Sequence, residues 1–184
     1  PNFFKMGCVS YCDEALLEHD LVNCGEYKLG GSPSVIIGSC GTTLTNPSDA
    51  VEIQALLDAG TARLISDIRF GMPAGSPVLV DSPVGCGSQI RINEDRTATL
   101  YDGNVTDGNN DFWNDLNNRK VAWVLAYSCD SGKVIYIAPP GAITTSANFI
   151  FPEQNNELQR YEATLSWRDK NIPTQYAAPA GIFS

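Results

Sequence analysis

At 184 residues the chain is long enough for one well-filled core that folds without disulfides or metals to staple it. Hydrophobic residues make up 43% and charged residues 18%, which excludes a chain disordered throughout. The net charge of −9 comes with no Lys/Arg run longer than two, which excludes a basic stripe for phosphates, and no apolar run nears the roughly 20 residues that span a bilayer.

The opening segment PNFFKM sets Phe3 and Phe4 on a short arm, residues 1–7. It lacks the apolar core of a signal peptide, so a cytosolically made protein is expected, with a processed secreted chain as the alternative. Next, CVSYCDEALLEHDLVNC, Cys8 to Cys24, holds three of the six cysteines and the one histidine, His19. Its C-x3-C-x6-H-x4-C spacing departs from the C-x2-C knuckle of zinc sites, and a helix over CDEALLEHD puts His19 about 10 Å along the axis from Cys12. Asp13, Glu14, Glu18, Asp20 and Glu26 surround the thiols with negative charge, which raises a thiol pKa and disfavours a nucleophilic thiolate. The stretch reads as a short helix with Leu16, Leu17, Leu21 and Val22 packing and the thiols filling space. A disulfide among Cys8, Cys12 and Cys24, or a zinc site, is the alternative.

SVIIGSC reads as a strand. NPSDAVEIQALLDAG is the clearest helix: Ser48 or Asn46 can cap it, Pro47 suits its first turn, and Glu52 stands near the capping-box position. Ala50, Ile53, Leu56 and Leu57 recur at helical spacing and Gly60 ends the run, so one stripe faces a sheet. ARLISDIRF reads as an alternating strand with Ala62, Leu64, Ile68 and Phe70 on one side. PVLVDS follows, and QIRINEDRTATLYD reads as a hairpin turning at Glu94 and Asp95.

YDGNVTDGNNDFWNDLNN offers Asp102, Asn104, Asp107, Asn109, Asn110, Asp111 and Asp115 as oxygen donors. The calcium-loop register fails, because counting from Asp102 the Gly position holds Asp107 and the Glu position holds Trp113. Turns and a helix cap explain the same residues, and GNNDFWNDLNN reads as a helix with Phe112, Trp113 and Leu116 near one face. VAWVLAYSCDSGKVIYIAP reads as a hairpin turning at Asp130 to Gly132, its first strand apolar enough to be covered on both faces. NFIF is a further strand, and LQRYEATLSWRD alternates Tyr161, Ala163, Leu165 and Trp167 against polar neighbours.

The last segment, KNIPTQYAAPAGIFS, is Pro-rich, uncharged after Lys170, and carries Ile172, Tyr176, Ile182 and Phe183. Read as an extended arm over residues 170–184, it wants a groove on this subunit or on a neighbour. The whole predicts a single domain over residues 1–184. Its class is α+β, mainly β: an antiparallel β-sandwich or barrel with one main flanking helix and short accessory helices.

No nucleophile elbow, phosphate loop, zinc-protease or dinucleotide fingerprint occurs, so no catalytic, cofactor or metal residue is assigned and the chain is read as non-enzymatic. The order of parts, DAVEIQALLDAG among many short strands, then RYEATLSWRDKNIP and the closing QYAAPAGIF, resembles virion structural proteins of tailed bacteriophages, most of all the tail tube group. That resemblance implies a sandwich or barrel with a flanking helix, assembled in the host cytoplasm into hexameric rings that stack into a tube. It implies copies of itself and other virion proteins as partners, with no specific nucleic-acid contact and no membrane. On this view Phe3, Phe4, Ile172, Tyr176, Ile182 and Phe183 are the inter-subunit anchors. A capsid decoration protein, a bacterial surface-filament subunit and an extracellular glycan-binding module are the rival readings.

Overall fold

In the computed structural model, which describes residues 16, 18, 34–81, 89–117, 119–128, 131–152 and 158–183, ten strands and two helices are seen among the described residues. In chain order they are β1 (Val35–Ser39), α1 (Ala50–Asp58), β2 (Ala62–Ile65), β3 (Ile68–Gly71), β4 (Ser76–Asp81), β5 (Gln89–Asp102) and α2 (Asp107–Leu116). There follow β6 (Lys120–Ser128), β7 (Lys133–Ile137), β8 (Ile143–Ile150), β9 (Arg160–Arg168) and β10 (Thr174–Ala177).

Every pairing is antiparallel, and the strands join in one sheet that does not close into a barrel. Its two wings meet at a narrow bridge, where β6 pairs with β8 through Lys120 and Val121 alone. One wing runs β2-β1-β6-β7-β10; the other runs β8-β9-β5, with β3 and β4 sharing the far flank of β5. The main core draws Val35, Ile37, Val121, Val124 and Ile137 from the first wing and Ala98, Leu100, Ala163, Leu165 and Trp167 from the second. The sheet is therefore folded over on itself, in the sense of a sandwich.

A second core lies on the outer face of the first wing, where α1 and the C-terminal segment cover it with Ile53, Leu56, Ile182 and Phe183. β6 feeds both cores, as its continuous apolar run predicts: Val121, Val124 and Ala126 enter the main one, Trp123 and Leu125 the other. A register shift beside Gly38 and Ser39, which pair with Trp123 and Val121, puts these two β6 residues on opposite faces.

α1 forms where its apolar stripe predicts, but its cap is Asp49, whose carboxylate accepts from the N–H groups of Val51 and Glu52. Ser48 and Asn46 do not cap it; the Asn46 side chain instead accepts from the Ser48 N–H. The β6–β7 hairpin pairs in the expected register, closing from Ser128 to Lys133 with Gly132 at φ +61°. In β9, Tyr161, Ala163, Leu165 and Trp167 are buried, as their alternation predicts.

Three expectations are corrected. QIRINEDRTATLYD does not turn at Glu94 and Asp95 but runs through as one strand of 14 residues. Both residues are held in extended backbone: Glu94 exchanges hydrogen bonds with Asp169 at 3.2 and 3.1 Å, and Asp95 pairs with both Ser76 and Arg168. ARLISDIRF breaks into β2 and β3 at Ser66 and Asp67, where Asp67 adopts φ +56°, a conformation Asp tolerates better than most residues. The break carries the chain from one wing to the other.

Of the two places expected for residues 170–184, the structure shows a groove on this subunit: Thr174–Ala177 pairs with β7 and Ile182 is buried. Lastly, Leu16 and Glu18 are not helical: the Leu16 N–H donates to Gly60 O at 3.0 Å, and Leu16 O accepts from Arg63 Nε at 3.1 Å. Phe3, Phe4, Cys8, Cys12, His19 and Cys24 lie outside the described residues.

Candidate assembly surface

Past Asp95, toward its N-terminal end, β5 leaves β9 and, among the described residues, is flanked by β4 alone from Asn93 outward. This makes a two-stranded ribbon. Ser76, Pro77, Leu79, Val80 and Ile92 are exposed, and because Leu79 and Val80 are sequential, their side chains leave opposite faces. A ribbon of two strands is marginal in water by itself, so apolar residues on both its faces signal contact with something else. At its base Glu94 and Arg96 form a buried ion pair, against which Gly75 sits so closely that a Cβ there would meet Glu94 Cγ at 2.5 Å. Outside, Arg168 clasps Asp95 with two hydrogen bonds, 2.6 and 3.1 Å, which holds the Asp95 carboxyl below its usual pKa.

A second apolar projection lies at the end of the β8–β9 pair. Phe149 is half-exposed and packs on Tyr161, whereas Phe151 and Leu158 are 70% and 84% exposed. The third site is Ile172, 77% exposed between β9 and β10. It is the one described member of the sequence-assigned anchors that projects fully into solvent. Tyr176 is half-buried with its ring edge-on to Tyr136; Phe183 stacks on Tyr127 at 4.7 Å between centroids, and Ile182 is buried beneath α1.

Two of the oxygen-bearing side chains around α2, Asp102 and Asn109, are engaged locally. Asp102 is buried and accepts from Trp113 Nε1 at 2.9 Å and from the Asn104 N–H at 2.8 Å. Thr106 caps the helix by accepting from the Asn109 N–H, while Asn109 Nδ2 donates to Asn104 O. Tyr161 donates to Thr106 O at 3.3 Å, and burial, then the charges of Asp102, Asp107 and Asp111, push its phenol pKa up. Among the described residues no group of three or more His, Cys, Asp and Glu side chains is placed to hold a metal. Trp113, Trp123 and Trp167 are buried packing residues and present no exposed ring on which a sugar could stack.

Sequence reasoning missed Leu79, Val80, Ile92, Phe149, Phe151 and Leu158. One signal was present: Pro77 lies inside a strand, which marks an edge with no inner neighbour. No helix among the described residues is long and apolar enough to cross a membrane. Comparison with known proteins finds no match among family models, curated proteins or solved structures.

Proposed function

We propose that the chain is a non-enzymatic structural subunit that binds copies of itself, most like the ring-forming subunit of a phage tail tube. The observation that carries this reading is the β4–β5 ribbon with Leu79, Val80 and Ile92 exposed. Apolar groups held out on a thin ribbon cost solubility unless a partner covers them, and about 25 cal/mol per Å2 of apolar surface is then recovered. The edge of β4 also leaves backbone hydrogen-bonding groups to pair across a subunit boundary. The mainly β architecture with α1 on one flank accords with the tail tube resemblance. Rings, any hexameric count and other virion partners belong to this proposal, as does location in a virion.

The test is a Leu79→Lys, Ile92→Lys double variant viewed by negative-stain microscopy and sedimentation beside the unaltered chain. The unaltered chain should form rings or tubes at high concentration. The variant should sediment as a monomer with unchanged circular dichroism, since both side chains already face water. An unaltered chain that stays monomeric at every concentration and salt level would refute the proposal.

A further inference from the structure

Where the chain turns from β9 into β10 it closes a pocket of about 230 Å3, lined by Trp167, Tyr136 and Tyr176 with Asp169, Asn171 and Thr174 as polar members. Strand register builds its walls. Thr174 pairs with Tyr136, so the side chains of Tyr136, Thr174 and Tyr176 leave one face of the sheet. The Tyr136 and Tyr176 rings stand 6.2 Å apart at 77° and meet as two walls of a corner. Trp167 lines the pocket from the main core. Asp169 is fixed by its backbone, which exchanges hydrogen bonds with Glu94, and one of its carboxylate oxygens accepts from the Asn171 N–H at 2.9 Å. We propose that this pocket binds a small organic cation of the quaternary ammonium class, its charge held between the aromatic walls and the Asp169 carboxylate.

Charge argues for a cation. The face of a tyrosine or tryptophan ring is electron-rich and attracts a cation within about 6 Å of its centre. Asp169 adds a formal negative charge, and among the described residues no Lys or Arg forms an ion pair with it. A carboxylate has about four acceptor positions, so the bond from Asn171 leaves most of them open. The net charge of −9 draws cations toward the molecule as a whole.

The lining selects among cations. A metal ion needs several donors, and among the described residues no group of three or more His, Cys, Asp and Glu side chains is placed to supply them. A primary ammonium brings three N–H donors that each want an acceptor, whereas a quaternary one brings none and is served by ring faces and a single countercharge. A cavity of about 150 Å3 takes a benzene ring, so this pocket has room for a trimethylammonium group with a short tail. The pocket is complete within one subunit, and binding there does not depend on assembly through the ribbon.

The experiment titrates the full chain with choline chloride in a calorimeter, beside n-butylammonium chloride and neohexanol, the uncharged carbon analogue of choline. Choline should bind with a Kd on the order of 1 mM or tighter, and both other compounds about tenfold more weakly or worse. Asp169→Asn, which keeps a side-chain oxygen for the Asn171 N–H, and Tyr176→Leu should each weaken choline binding by about fivefold or more. Tyr176→Phe, which keeps the ring face, should retain it. Circular dichroism checks each fold, and if Tyr176→Leu does not fold, Asp169→Asn decides. No saturable heat from choline, equal affinity for neohexanol, tighter binding of n-butylammonium, or indifference of a folded variant to Asp169→Asn or Tyr176→Leu would each overturn the assignment.

Discussion

Glu52 shows how much one side chain can organise. It stands three residues after the Asp49 cap, yet its carboxylate reaches past the cap and accepts from the N–H groups of Thr45 (2.7 Å) and Asn46 (2.9 Å). It thereby pins the loop that leads into α1. The Thr45 hydrogen bond is the main reason its pKa lies below the usual value near 4.5. A carboxylate depressed in the fold adds stability that is present above the unfolded pKa and is lost as pH falls through the folded one. Glu52→Gln should therefore cost about 1 kcal/mol at pH 7, a value held down by solvent screening, and lower Tm by about 2–4 °C. The deficit should shrink toward zero as the parent is acidified below pH 4.5, which paired melts across pH 3 to 7 would register. A deficit that persisted at pH 3 would assign the loss to packing. Gly38, in β1, illustrates what no single sequence can reveal. A Cβ there would lie 2.1 Å from Trp123 Cε2, so glycine is demanded by a tryptophan 85 positions away and not by any local turn.

At the scale of elements, α2 is held less by its own propensity than by what precedes and follows it. Asp102 at the end of β5 accepts from the Trp113 indole, Thr106 caps the first turn, and Asn117 accepts from the Ala147 N–H on β8. The buried Thr145 hydroxyl serves the carbonyl end, 2.8 Å from Arg119 O. Asp102→Ala would strand the buried indole N–H and untie the Asn104 turn. It should cost about 3 kcal/mol, a drop in Tm of about 6–12 °C, with a shift in tryptophan emission as Trp113 loses its partner. A change under 1 kcal/mol would mean that water replaces the carboxylate without loss. The period of Phe112, Trp113 and Leu116 made this helix legible in the sequence, as alternation did for β9. The continuity of β5 was not legible, because Glu94, Asp95 and Arg96 look like a turn until their partners Asp169 and Arg168 arrive from some seventy residues downstream. Polar residues in a strand are ambiguous locally and are resolved by ion pairs that a linear reading cannot see. The exposed ribbon was hidden for the same reason: which strands lack an inner neighbour depends on pairing, and Pro77 was the one local clue.

For the whole molecule, the C-terminal segment decides between two kinds of contribution. As a detachable anchor, its removal would leave a folded subunit that fails to assemble. The structure gives it a larger share: β10 pairs along four residues with β7, the Ala178 N–H bonds to Gly132 O, and Ser48 Oγ donates to Ala177 O beside α1. Ile182 fills the second core and Phe183 stacks on Tyr127. Full burial of one such side chain stabilises by about 1.5–3 kcal/mol, so losing Ile182 with the partly buried Tyr176 and Phe183 removes several kcal/mol. Losing β10 also uncovers the edge of β7, and the sum is comparable with the roughly 5–15 kcal/mol that holds a domain of this kind together. Deleting residues 174–184 should thus yield a chain that is unfolded or aggregated at 25 °C. The expected signs are a lost cooperative melt and strong binding of a hydrophobic dye. Deletion of Phe183 and Ser184 alone should leave a folded protein with a Tm lower by several degrees. If the longer truncation instead melts cooperatively near the parent Tm, the second core does not depend on this segment. Ile172, exposed and upstream of the cut, would then be the better place to look for a contact between subunits.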